Sequence, residues 1–311
     1  FFGSSANDSV FHAYVADITT VENRGKVMGV LEILTWIALL FVYGGAGLVI
    51  DALGYYAFFY LVGGLVFVLG LVASFLLKEP DLPKEGPKGS YFSQIAETFR
   101  WSTLKQQSSF FRLLLAITLW GVAQNIFFPY LMIYISTYLE KSTTDAAIIV
   151  FFAILLGGIA TAYPLGLLAD RWGRKQVALL AVVAEMVGLI AFSLARSTPA
   201  LVLTGILWLA PISAWTIAVG SWSKDLFPED KRGQFGGYVI LFSVALTMIP
   251  GPLLGSKLIT EFGISTIIDG KAGFIPTPLI FQAAGVATLL AAIPLLTIKQ
   301  SAKSKPAIKE E

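Results

Sequence analysis

The chain has 311 residues, of which 56% are hydrophobic and only 14% charged, and its formal net charge is +2. A soluble domain of this length does not need so much apolar surface, so composition points to a polytopic membrane protein, and the small net charge gives no ground for a nucleic-acid partner. Cysteine is absent and there is one histidine, which excludes disulfides, thiol catalysis, thiolate metal sites and a histidine metal cluster within the chain. No Gly-x-x-x-x-Gly-Lys-Ser/Thr run is present, so no nucleotide and no cofactor are expected.

Residues 1–17 read as the end of a membrane span that closes on Asp17, and a charged loop with Glu22, Arg24 and Lys26 follows. Spans are predicted over 27–50 and 55–77, each near the roughly 20 residues that cross a bilayer. Asp51 to Gly54 makes the turn between them, and Tyr55, Tyr56 and Tyr60 suit an interfacial aromatic belt. Residues 78–110 break the pattern. Their first part is a linker rich in Pro, Gly, Lys and Glu, and Phe92, Ile95 and Phe99 then recur at helical spacing. That second part is read as a helix on the membrane surface, with a loosely ordered linker as the alternative. Six further spans are expected at 111–138, 146–168, 176–195, 200–223, 234–258 and 277–298. A polar stretch at 257–276 separates the last two, and 299–311 is a soluble tail.

The stretch from Gly166 to Lys175 reads Gly-Leu-Leu-Ala-Asp-Arg-Trp-Gly-Arg-Lys and lies between two apolar runs. Asp170 suits free N–H groups at a helix start, Gly173 suits a tight turn, and Arg171, Arg174 and Lys175 mark one membrane face as cytoplasmic. When the nine spans alternate, this side collects all of the 22 lysines and arginines except Lys141, Arg196, Lys257 and Lys271. An internal repeat supports the same register. Asp17, Arg24, Gly25 and Gly29 recur at identical spacing as Asp225, Arg232, Gly233 and Gly237, which suggests two related halves.

The loop residues Gly166, Ala169, Asp170, Arg171, Gly173, Arg174 and Lys175 resemble the signature loop of the major facilitator superfamily, whose members have two six-helix halves. The repeated loop resembles the cytoplasmic loops after the family's fourth and tenth spans. The resemblance implies an all-α, two-bundle helical transporter, of which this chain would hold spans four to twelve, a fragment without the first three. It would divide into a remainder of the N-terminal bundle (1–77), a cytoplasmic linker (78–110), a C-terminal six-helix bundle (111–298) and a cytoplasmic tail (299–311). It also implies that Asp170 and its basic neighbours lock against the start of a span in the other half, near Arg24 to Gly29. Asp17, Arg24, Asp225 and Arg232 join Gly166, Asp170, Arg171, Gly173, Arg174 and Lys175 as expected gating residues.

Polar groups at membrane depth are costly, so each asks for a reason. Gln124 and Asn125 fall in a span that lines the central cavity of the resembled family, with Tyr130 beyond them. Trp208, Pro211, Ser213 and Trp215 sit mid-span near a proline kink. Gln124, Asn125, Tyr130, Trp208 and Trp215 are therefore the expected solute contacts, against the plainer alternative of helix–helix packing. Asp8 and His12 share a helix face, and Glu32 falls at similar depth to His12 in the next span. With Glu185 these are the candidates for proton coupling, against static polar networks as the alternative.

The resemblance thus implies a secondary active transporter in the cell membrane, a monomer with a cytoplasmic C-terminus and no enzyme. Its partners would be the bilayer, a small organic solute and, as an open point, protons. Gln124, Asn125 and the tryptophans lean towards a sugar-like polar solute. Drug efflux by proton antiport is the runner-up, since Ala13-Tyr-Val-Ala-Asp-Ile-Thr19 looks like that exporter group, although its Gly-Pro-x-x-Gly-Gly run is missing from the second span here. A membrane enzyme lacks a nucleophile–base pair, and a non-transporting sensor of the same fold is a further alternative.

Overall fold

The computed structural model describes residues 2–77, 105–228, 232–268 and 271–298. The expected surface helix around Phe92 to Phe99 and the tail at 299–311 lie outside them.

The described residues form α1 (Phe2–Ile18), α2 (Arg24–Leu76), α3 (Ser108–Tyr138), α4 (Thr144–Trp172), α5 (Arg174–Leu194), α6 (Thr198–Asp225), α7 (Arg232–Phe262) and α8 (Leu279–Thr297). Two strands, β1 (Ile264–Ile268) and β2 (Lys271–Ile275), pair antiparallel between α7 and α8. All six spans expected after residue 105 are present, and 55–77 is matched by the apolar helical stretch Ala52–Leu76. Every backbone polar group in a bilayer needs an internal partner, and an apolar run this long meets that need as a helix.

α2 contains both spans expected between 27 and 77. Its limbs are separated at Gly54, where φ is 82° and ψ is 167°. The second limb turns its apolar side chains outward, with Tyr56 and Tyr60 among the most exposed. Among the described residues the strand pair departs from an all-helical reading. Ile264, Thr266, Ile267 and Ile268 are β-branched, and the residues between the strands are Asp269 and Gly270, a pair that suits two-residue hairpins.

The helix boundaries follow local chemistry. Ser142 accepts from the Asp145 N–H at the start of α4, and Ser197 accepts from the Ala200 N–H at the start of α6, where Pro199 occupies the first turn. Gly173 alone joins α4 to α5 with φ at 102°, a region closed to side chains bearing Cβ. Five segments among the described residues depart from α geometry within spans: Tyr134–Tyr138 in α3, Ala153–Ile159 in α4 and Leu241–Ala245 in α7 are π-helical, and Phe128–Tyr130 in α3 and Leu289–Ala291 in α8 are 3-10 turns.

The first limb of α2 packs on α4 and α6, α1 packs on α7, and α5 packs on α6 and α8. The approach of α2 to α4 is close enough to require glycine. A Cβ on Gly166 would fall 2.5 Å from the Gly25 carbonyl oxygen. Contacts bring the turns to one end of the molecule: Arg112 at the start of α3 donates to Thr297 O (2.7 Å), and Lys175 at the start of α5 donates to Ile298 O (2.7 Å).

Candidate functional site

At that end the two copies of the sequence repeat exchange charges. Arg24 pairs with Asp225, and Arg232 pairs with Asp17. Each aspartate ends a helix, α1 or α6, and each arginine begins one, α2 or α7. Arg24 is anchored further by its Nε on Thr19 Oγ1 (2.8 Å) and its Nη2 on the carbonyls of Thr19 (2.8 Å) and Ala16 (3.1 Å). Charge-assisted bonds of this kind fix geometry as well as adding energy.

Asp170, at the end of α4, faces the start of α2. Its Oδ1 accepts from Gly25 N (3.0 Å) and its Oδ2 from Lys26 N (3.1 Å). The free N–H groups of a helix start carry partial positive charge, so a carboxylate is favoured there. Arg174 lies 3.7 Å from Asp170, pairs with Asp225, and donates to Val21 O (2.8 Å) and Ser221 O (3.3 Å). It therefore ties α4, α5, α6 and the loop after α1 together. Arg171 is exposed on the turn, and Gly166 is buried against α2. Glu22, fully exposed in the 19–23 loop, is held below the usual carboxylate range by its own backbone N–H and the Thr20 hydroxyl, with Arg174 and Arg24 adding to this.

Midway along α5, Glu185 is completely buried. It accepts from Trp120 Nε1 (2.7 Å) and from Gln124 Nε2 on α3. Trp120 stacks on Trp215 of α6, with centroids 5.3 Å apart and planes 20° apart. Gln124, Glu185 and Trp215 thus belong to one cluster, and Gln124 Oε1 is buried with no partner. The other expected contacts lie elsewhere. Asn125 Nδ2 donates to Gly121 O in its own helix (2.8 Å), and Tyr130 OH donates to Pro252 O of α7 (3.0 Å).

Trp208 borders a separate cavity of about 60 Å³ between α2, α3, α4, α5 and α6. Its ring meets those of Phe127 and Phe192 edge to face at 5.5 and 6.1 Å, and its Nε1 has no partner. Across the cavity, Trp36 of α2 donates from Nε1 to Ser213 Oγ of α6 (2.8 Å).

His12 does not join Glu32. Its Nδ1 lies 3.1 Å from Lys224 Nζ of α6, and that buried ammonium also donates to Gly220 O (3.3 Å). Asp8 lies one turn before His12 on α1, and Glu32 is buried one turn before Trp36 on α2. Among the described residues no group of three His, Cys, Asp or Glu side chains is placed to hold a metal ion.

Sequence reasoning missed Trp36, Trp120, Ser213 as a bonding partner, and Lys224. The signal for Trp120 was its position four before Gln124, one helical turn away on the same face. Lys224 reads as one more cytoplasmic charge because it adjoins the loop, and only packing shows that it faces inward.

The sequence profile described as Major Facilitator Superfamily matches residues 1–163 and again 141–311. The chain is 31% identical over 155 residues to a proline/betaine transporter of Escherichia coli K12, covering 48% of this chain and 29% of that one. It is 30% identical over 134 residues to a D-xylose transporter of Levilactobacillus brevis, covering 42% and 28%. These matches therefore span less than a third of each relative's length. Among solved structures, the human organic anion transporter MFSD10 (TETRAN) superposes with a TM-score of 0.71 at 17% identity, over 93% of this chain and 67% of that one, a likeness of fold alone. Through the profile that matches along its whole length, this chain belongs to the Major Facilitator Superfamily.

Proposed function

We propose that the chain works within a secondary active transporter that carries a small polar organic solute across the plasma membrane by alternating access. In this reading residues 1–77 belong to one bundle and 111–298 form the other. Residues 78–110 link them, and this linker lies in the cytoplasm with the tail at 299–311. The observation that carries the reading is the exchange of Asp17–Arg232 and Arg24–Asp225 between the repeated loops, with Asp170 on the start of α2. Bonds of this kind close one end of a pathway and can be broken without unfolding either bundle. Two bundles rocking about a central site need such a reversible closure.

The named relatives carry proline, betaine or xylose, all small polar organic molecules, which supports that solute class. A sugar-like solute has less support from the geometry, because the hydrogen bonds of Gln124 and Asn125 run within the protein and Trp208 borders an apolar cavity. For proton coupling, Glu185 is the best placed of Asp8, His12, Glu32 and Glu185. Trp120 and Gln124, which donate to it, are neutral, so gain or loss of a proton changes their bonding directly. The deciding experiment is flux by the full-length protein in proteoliposomes across a solute panel, with and without a pH gradient. Flux of at least one solute is expected. Flux of none ends the carrier reading, and flux indifferent to the gradient removes protons from it.

A further inference from the structure

We infer that Lys224 and His12 form a proton-operated latch between α1 and α6, and that a second proton on this pair opens the end of the molecule that the two repeats close. Lys224 points against the habit of its position. It is next to last in α6, beside the loop, where a lysine ordinarily extends its ammonium into water. Here the side chain runs back along its own helix to Gly220 O (3.3 Å), and the residue is only 3% exposed. Its other partner is Nδ1 of His12 on α1, at 3.1 Å. Neither partner carries a negative charge. The charges that face this ammonium are Arg24 and Arg174, which repel it, and both of those are held by Asp225.

A contact of this kind holds one proton between two nitrogens. While the imidazole is neutral, its Nδ1 accepts from the ammonium. A second proton turns Nδ1 into a donor, so two positive donors then face each other away from water, where like charges repel strongly. Charged groups stand around the pair on five helices. Asp17 of α1 is taken up by Arg232 of α7, and Asp225 of α6 by Arg24 of α2 and Arg174 of α5. Asp8, one turn before His12, belongs to the same helix and moves with it, and Glu32 of α2 sits by the Trp36 indole instead.

The pair is placed to act on the closure. Lys224 adjoins Asp225, and His12 stands five residues before Asp17, so the contact joins the two helices that end in the exchanged carboxylates. Separating α1 from α6 pulls on both repeat pairs at once. Carboxylates paired with arginine keep their charges between about pH 8 and pH 5, whereas an imidazole changes its charge there. The latch therefore holds at the upper end of this range and releases as pH falls. The proton that works it need not be one that crosses the membrane.

The inference takes from the carrier reading only that this end opens, and its test needs no solute. Spin labels are attached to Val21→Cys, exposed in the loop after α1, and to Gln106→Cys, exposed just before α3, in full-length protein free of other cysteines and held in lipid nanodiscs. Their spacing is measured by pulsed electron resonance at steps from about pH 8 to about pH 5. In the parent protein the fraction of long spacings is expected to rise about tenfold or more as pH falls. His12→Gln keeps an acceptor for the ammonium but takes up no proton, so its spacing should stay short throughout. Lys224→Met has similar length without charge, so a protonated His12 meets no second cation and the pH response is again lost. This variant gives a second reading if His12→Gln fails to fold. A parent spacing that ignores pH, or a parent-like pH response in either variant, overturns the latch. The expected pH response in a protein that moves no solute upholds the latch and ends the carrier reading. Flux without the pH response overturns the latch and leaves the carrier reading standing.

Discussion

Arg24 and Asp225 stand in different copies of an internal repeat, and each is bonded into the other's copy, with Arg232 and Asp17 completing the exchange. The two pairs differ in company. Asp225 also holds Arg174, whereas Arg232 pairs with Asp17. A charge swap is therefore informative at the second pair. Arg232→Asp alone places two carboxylates together and is expected to lower uptake at least tenfold. Breaking one side of a buried pair costs about 3–5 kcal/mol, and less here because the Arg232 side chain is 22% exposed. Combining it with Asp17→Arg restores the attraction, so uptake should recover by several fold at equal membrane abundance. A double variant no better than the single one would separate this pair from closure.

Asp170 makes a different kind of contact, a carboxylate seated on a helix start. Asp170→Asn keeps one acceptor but loses the charge that the N–H groups and Arg174 favour, a loss of about 1 kcal/mol from the helix start alone. The expected result is a shift away from this closed arrangement and a several-fold fall in uptake, with insertion unchanged. The shift is read by labelling a single Ser221→Cys, in a background free of other cysteines, because Ser221 is fully buried beneath Arg174. Labelling should rise in Asp170→Asn. Equal labelling and equal uptake would detach Asp170 from gating.

Gly166 tests packing where Asp170 tests charge. Any Cβ here meets the Gly25 carbonyl oxygen at 2.5 Å, and both partners in that contact are backbone. Neither helix can yield by turning a side chain. Gly166→Val is expected to push α2 from α4, raise Ser221→Cys labelling more than Asp170→Asn does, and abolish measurable uptake while the protein still reaches the membrane. Overpacking of this sort costs about 1–3 kcal/mol, enough to reverse a gate without unfolding a bundle.

Much of this was legible in the sequence because bilayers impose simple rules. An apolar run of some 20 residues has to be a helix, and basic residues sort to one face, so the spans and their turns could be placed from hydropathy and charge. Asp170 meets the start of α2 at Gly25 and Lys26, the region its family resemblance pointed to. Side-chain direction within a span was not legible. Residue counting sets His12 and Glu32 at like depth, but α1 turns His12 towards Lys224 of α6. Trp36 is one aromatic among many in α2 until its partner Ser213, 177 positions away, is known. The β hairpin left a signal of its own in Asp269-Gly270 beside β-branched residues, which a reading tuned to long apolar runs passed over.

Glu185 offers the sharpest division between a structural and a coupling role. It is fully buried, and each carboxylate oxygen receives one donor, from Trp120 and from Gln124. Glu185→Gln preserves shape but replaces one accepting oxygen by an NH2 group, so one neighbouring N–H faces another donor, at a cost of about 1–3 kcal/mol. The Gln124 amide can relieve this by turning its unpartnered Oε1 to the new NH2, because O and N exchange places with little change in volume. The variant is therefore expected to fold. A group that must take up and release a proton in each cycle cannot be replaced by an amide. Glu185→Gln should then abolish accumulation driven by a pH gradient while exchange of internal for external solute, which needs no net proton movement, continues at more than half the normal rate. Accumulation that survives in Glu185→Gln assigns the carboxylate to packing, and the loss of accumulation and exchange together would mean that it holds α3 and α5 in place rather than carrying the proton.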